Sequence, residues 1–220
     1  MTVVPVSGSA ARIPAVTPRR LARHFLGVSL LLIGLALPAK AGGQTITWTI
    51  DPGHSAAQFA VRHMLVATVR GEFNGPTGIV SFDPAKVVDT LTVTATIDAR
   101  TISTRNDQRD RDLKSANFFD VVKYPSITFK SKRATAGAAG HIMVIGDLTI
   151  HGVTHEVTLD AEAPSPAVKD LDGLTRIGSS ATTTINRWDY GLRYNELIET
   201  GGAVVADQVR ITLDLEMTHK

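Results

Sequence analysis

The chain has 220 residues, with 23 Lys and Arg against 21 Asp and Glu and a formal net charge of +2. That balance is uneven: residues 1–41 hold Arg12, Arg19, Arg20, Arg23 and Lys40 and no acidic side chain, so the remainder carries 18 basic against 21 acidic residues, or about −3. The excess of base is therefore not a nucleic-acid footprint, and no stripe of interleaved basic and aromatic residues occurs. With no cysteine, disulfides, thiolate metal centres and thiol catalysis are excluded.

The leader comes first. Arg19, Arg20 and Arg23 precede an apolar run, FLGVSLLLIGLAL, and Ala39-Lys40-Ala41 offers a small-x-small cut after Ala41. These are the parts of a secretory signal peptide, 1–41, removed from the mature protein. The run of 13 residues falls short of the roughly 20 that a spanning helix needs, which argues against the alternative of an uncleaved anchor. The Arg19-Arg20 pair leaves the general and twin-arginine export routes both open. Residues 42–220 then form one exported domain with no permanent membrane span.

The mature chain reads as β-structure. Strands are expected over residues 45–50, 57–63, 67–73, 78–82, 91–98, 126–132, 141–149, 154–161, 176–185 and 204–218. Turn residues separate them, among them Asp51-Pro52-Gly53, Gly75-Pro76, Asp83-Pro84, His151-Gly152 and Asp172-Gly173. Residues 91–98 alternate most cleanly: Leu91, Val93, Ala95 and Ile97 share one face, and Thr92, Thr94, Thr96 and Asp98 the other. The last strand repeats this with Val209, Ile211, Leu213, Leu215 and Met217. Residues 106–115, NDQRDRDLKS, break the pattern and read as a short exposed helix beginning near Thr104, with Asp107 in its first turn. Phe118 and Phe119 follow, either covering one end of a barrel or belonging to the core. Residues 164–172 read as a surface loop. Repeated short strands indicate a sandwich or a barrel. The inward positions are mostly small, such as Ala57, Val61, Val93, Ala95, Val144 and Val209; they would leave space in a closed barrel of about eight strands or fill a sandwich core.

Little in the chain points to catalysis. His151 and His155 are four apart, but Gly152 and the flanking strands set them astride a hairpin turn rather than on one helical face, so no metal is assigned. His54 and Ser55 are adjacent, yet there is no Gly-x-Ser-x-Gly elbow, phosphate-binding glycine loop or dinucleotide motif. No catalytic residue and no cofactor is assigned. An envelope hydrolase using His54, Ser55 or the His151/His155 pair, and a structural or protein-interaction β module, stand as alternatives.

Five ordered segments carry a resemblance. TWTIDPGHSAAQFAVRHM begins at Thr47, LKSANFFDVVKYPSITFKS at Leu113, GDLTIHGVTHEVTLD at Gly146, INRWDYGLRYN at Ile185 and DQVRITLDLE at Asp207. Together they resemble the YceI-like family of lipocalin-like, polyisoprenoid-binding proteins. The resemblance implies an all-β fold: an eight-stranded antiparallel barrel with a short helix at one end. It also implies a periplasmic protein whose apolar lumen takes an isoprenoid or fatty-acyl chain, and no enzyme activity. Two positions depart from the pattern. Trp188 and Tyr190 flank Asp189 where Ser and Phe are usual, and His155 stands where Lys is usual.

Alternation and the resemblance together put Phe59, Val61, Phe73, Val93, Ala95, Phe118, Phe119, Ile127, Phe129, Val144 and Ile211 on the lumen wall. Strands of about nine residues tilted by about 40° enclose a lumen on the order of 20–25 Å long. Arg62, His63, Arg105, Asn186 and Arg187 are candidates for a ligand head group at strand ends or the mouth. The expected partner is an isoprenoid-type lipid, with quinone tails, polyprenyl phosphates and acyl chains as possible forms. No nucleic acid is expected. A closed barrel has no free edge, so a homodimer would be held through loops or the helix.

Overall fold

A strand with one apolar face must bury that face, and here the sheet does so by closing on itself. The computed structural model describes residues 43–194 and 204–220; the leader read at 1–41 and Asn195 of the fourth motif lie outside the described residues. The elements are β1 (Ile46–Ile50), β2 (Ala56–His63), β3 (Ala67–Asn74), β4 (Thr77–Phe82), α1 (Val87–Thr90), β5 (Thr92–Asp98), α2 (Asp107–Lys114), β6 (Ser126–Ala136), β7 (His141–Ile150), β8 (Val153–Glu162), β9 (Val168–Lys169), β10 (Thr175–Asn186) and β11 (Val205–His219). Short 3₁₀ turns occur at Ala99–Thr101 and Arg187–Tyr190.

Register explains how ten expected strands become eight walls. One edge of β11 pairs with β10 along its length, from Thr175 opposite His219 to Asn186 opposite Gln208. The other edge meets β2, with Ala56 opposite Asp214, and then β1, with Ile50 opposite Met217. β1 and β2 therefore lie end to end as one broken wall strand. β4 and β3 form the next wall in the same way, paired with β1 and β2 respectively. The ring continues through β5, β6, β7 and β8 and returns to β10, antiparallel throughout. This is the eight-stranded barrel.

The break in the first wall has its own chemistry. Asp51-Pro52-Gly53 leaves the ladder, and the chain rejoins it through Ser55. The Ser55 hydroxyl donates to the Glu216 carbonyl (3.2 Å) and accepts from the Glu216 N–H (3.0 Å). The Asp51 N–H also donates to that carbonyl (2.9 Å), so the Ser55 side chain bridges the gap beside the last backbone bond.

The two ends of the barrel differ. The lower end is plugged by Trp48, Ile50, Val80, Phe82, Ile177 and Met217, all buried, with Val87 of α1 packed against them. α1 was not expected from Val87 and Val88, whose branched side chains favour strands. The upper end carries the β2–β3 turn, the connection from β5 to β6 that contains α2, the β7–β8 turn and residues 187–194. α2 starts later than expected. Asn106, not Thr104, caps it by accepting from the Arg109 N–H at 3.0 Å, because Thr104 is buried and held by the Asp110 carboxylate. The 164–172 loop contains only the two-residue β9, laid against the start of β10. His151 and Gly152 form the two-residue left-handed turn of the β7–β8 hairpin, with φ of 51° and 74°.

Replacing Ser55 with Ala leaves the Glu216 N–H without its partner, while the Glu216 carbonyl keeps the Asp51 N–H at 2.9 Å. We expect a loss of about 1–2 kcal/mol, read as a lower urea midpoint with an unchanged slope.

Candidate functional site

Closing a sheet whose inward residues are small leaves a space. A cavity of about 240 Å³ runs inside the barrel, with Ile50 and Met217 on its wall at the lower end and Val205 and Arg187 at the upper. All eleven side chains expected on the lumen wall line it. Val93, Ala95 and Ile211 point inward yet are only half-buried, because they face empty space rather than packed atoms. Phe59, Phe73 and Phe119 form an aromatic row at the upper end, with ring centroids 5.8 and 5.7 Å apart. A side chain at Gly71 would meet the Phe59 ring at 2.3 Å, so the glycine makes room for the ring to lie across the neighbouring strand. Leu113 of α2 and Phe118 complete this end, so the phenylalanine pair both lines the cavity and covers it.

Sequence reasoning missed the wall supplied by β10. Ser179, Ala181, Thr183 and Ile185 line the cavity. The Ser179 hydroxyl is turned to the Glu162 carbonyl at 2.8 Å. Residues 179–184 are small or hydroxylated on both faces, so alternation of hydropathy gave no signal there.

Of the five head-group candidates, only Arg187 reaches the cavity wall. It is almost fully buried, and its donors go to backbone carbonyls: Nε to Ala206 (3.0 Å), Nη1 to Leu192 and Tyr194, and Nη2 to Val205 (3.1 Å). Burial pulls its pKa down, opposed by the Asp207 charge. Its role in the fold is to tie the 187–194 segment to the start of β11. Arg62 is spent on the β2–β3 turn, bonding Thr68 Oγ1 and the Leu65 carbonyl. Asn186 caps the 3₁₀ turn by accepting from the Trp188 N–H. His63 ends β2 and Arg105 sits, exposed, in a left-handed turn before α2.

The groups that could suggest catalysis are otherwise engaged. His54 Nδ1 lies 3.0 Å from Asp51 Oδ2 and 3.7 Å from Glu216 Oε1. These three could converge on a cation. Arg176 already stands among them, with Nη1 bonded to Asp51 (2.8 Å) and Glu216, and Nε to Asp170 (2.6 Å). The guanidinium supplies the positive charge that a metal would. Hydrogen bonds from His54 and Arg176, with the Gly53 N–H, hold Asp51 down at about 2; Asp51 and then Glu216 push His54 upward. His151 packs edge-on to Tyr124 (4.5 Å), and His155 Nε2 meets the Asp189 carbonyl at 3.0 Å.

A closed antiparallel barrel of eight strands around an apolar lumen, with a helix across one end, is a lipocalin-like binding barrel. The model of the YceI-like domain matches residues 48–217, and the chain belongs to the YceI-like family. Among relatives, a UPF0312 protein of Staphylococcus aureus (strain bovine RF122 / ET3-1) is 37% identical over 176 residues, covering 78% of this chain and 96% of the relative. A Campylobacter jejuni YceI protein is similar in structure, with a TM-score of 0.59 and 28% identity over 72% of this chain and 90% of its own. BcnA of Burkholderia cenocepacia shares the fold, with a TM-score of 0.65 and 23% identity over 76% of this chain and 98% of its own. So does a polyisoprenoid binding domain from Saccharophagus degradans, with a TM-score of 0.57 and 17% identity over 79% of this chain and 98% of its own.

Two measurements follow from this end chemistry. Asp51, lowered from 3.8 to about 2, contributes stability that is present above pH 4 and lost as pH falls toward 2. His54, raised above 6.5, contributes below that pH and loses its contribution as pH rises through its folded value. Urea midpoints across pH should therefore decline on both sides of a plateau near pH 4 to 6.5, and His54→Ala should flatten the alkaline decline. Tyr190 is buried with its hydroxyl unpartnered among the described residues, and burial pushes its pKa to about 12. Tyr190→Phe should stabilise the fold by up to about 1 kcal/mol in the same assay.

Proposed function

We propose that this protein is an exported, non-catalytic carrier that holds one long apolar lipid chain, isoprenoid in character, in the lumen of its barrel. The observation that carries the reading is the cavity itself, which runs between walls that are almost wholly apolar. Each methylene transferred from water into such a space gains about 0.8 kcal/mol. Apolar walls grip without directional demand, so polyprenyl, quinone and acyl chains are all admissible. The resemblance to a polyisoprenoid binding domain favours the isoprenoid class. The eleven wall residues are the proposed contacts with the chain.

The rival readings have less support. A purely structural module has no use for an unfilled core. A hydrolase needs a free nucleophile beside a base, whereas the Ser55 hydroxyl is committed to the Glu216 backbone. Export to the periplasm rests on the leader of residues 1–41. No described helix is long and apolar enough to cross a membrane.

Native mass spectrometry with lipid extraction, on protein taken from its own compartment, should show one lipid chain per barrel. An empty protein that also fails to bind polyprenyl and quinone probes contradicts the proposal. Ala95→Phe should block the lumen; displacing two methylenes costs about 1.6 kcal/mol, or more than about tenfold in affinity, with the β circular-dichroism spectrum unchanged. Intact mass of the exported protein should begin at Gly42; a full-length chain retained in the cytoplasm would contradict export.

A further inference from the structure

The β2–β3 hairpin departs from the turn chemistry its shape calls for. The Val66 N–H bonds the His63 carbonyl at 3.0 Å, and the two residues between, Met64 and Leu65, have φ of 50° and 59°. β-Turns whose two central residues are both left-handed favour Asn and Gly there, because bulky side chains crowd the backbone. The corresponding turn of the β7–β8 hairpin carries a glycine at its second position, Gly152. Here the fold holds two large apolar residues in that conformation. Arg62 braces them, donating to the Leu65 and Val66 carbonyls at 2.7 and 3.4 Å, and the Met64 N–H bonds the Val204 carbonyl at 2.9 Å. The result is an apolar tip, with Leu65 69% and Val66 80% exposed.

The tip stands at the upper end, away from the packed plug of the lower end. His63 pairs with Val205, which lines the cavity, as does Val61 on the same strand. Trp188 and Val122, also at this end, present further apolar surface. Within the tip of the hairpin the charge is one-sided. From Ser55 to Gly71 the hairpin carries Arg62 and Arg70 and no acidic residue, the nearest acids being Glu72 farther down β3 and Asp207 on the facing stretch of β11. An apolar tip backed by Arg62 and Arg70 is what a surface of anionic lipid headgroups accepts.

We propose that the Met64–Val66 turn inserts into a lipid bilayer and seats the upper rim of the barrel on it, so that a chain passes between bilayer and lumen. This rests on the carrier reading, since a long apolar chain has almost no free concentration in water and must be taken from a membrane. The cost of the left-handed residues is then a cost of presenting the tip.

The test uses the mature chain with vesicles of phosphatidylcholine, with and without phosphatidylglycerol. The wild type should float with the vesicles, more strongly with the anionic lipid. Leu65→Asp combined with Val66→Asp should weaken association at least tenfold and slow transfer of a fluorescent prenyl chain from vesicles by a similar factor. The same variant should bind that chain normally when it is supplied from dilute detergent. Flotation that is absent in the wild type, or equal in the variant, overturns the proposal. So does dimerisation of the wild type through this turn without flotation, which would make a second copy the occupant. Failure of the carrier reading looks different: neither protein would bind the chain from detergent, whatever the vesicles show.

Discussion

Closure of the sheet on an apolar face lined by small residues is the constraint from which the rest follows. Closure pairs the sheet with itself, and side chains such as Ser55 and Arg187 satisfy backbone groups where the pairing lapses, with no disulfide to help. It also turns every inward side chain toward a common axis. Val93, Ala95, Ala161 and Ala181 are too short to meet there, and the barrel is left with a space instead of a filled core. Larger residues at these positions would give a tighter and emptier-handed fold.

The cavity is usable because the ends are built differently. At the lower end Trp48 and Phe82 stack with centroids 6.2 Å apart over Ile50 and Met217, and the Asp51–His54–Arg176–Glu216 network holds the strands outside them. At the upper end the cover consists of connecting segments rather than wall strands. The β5–β6 connection brings Phe118 and Phe119 over the lumen, and Arg187 pins the 187–194 segment to β11 through backbone carbonyls. A packed plug stands opposite a cover made of connections, and the upper end is therefore the proposed route for a chain.

Much of this was legible in the residues, for identifiable reasons. Residues 91–98 and 209–217 alternate without interruption, so their inward faces, and with them Val93, Ala95 and Ile211, could be named in advance. Asp51-Pro52-Gly53 and Gly75-Pro76 read as turns between separate strands, which concealed that β1 with β2, and β3 with β4, are single walls broken at the same level. Only register shows that. Ser179 and Thr183 escaped because residues 179–184 of β10 are small or hydroxylated on both faces. The head-group candidates were chosen by charge and position along the chain, and neither reveals that Arg62 and Arg187 direct their donors to nearby carbonyls. Tyr190 and Trp188 were visible as departures from the family pattern; that one is buried and the other exposed at the rim depends on the 3₁₀ turn that presents them.

A chain held inside the barrel can be detected directly through the two tryptophans. Trp48 sits at the plug and Trp188 at the rim, so Trp188→Phe leaves a single emitter at the closed end. Titration of that variant with a polyprenyl chain brominated at its tail should quench Trp48 emission saturably, at one chain per protein. Unchanged Trp48 emission at chain concentrations that saturate binding would show that the chain is held elsewhere and contradict the account.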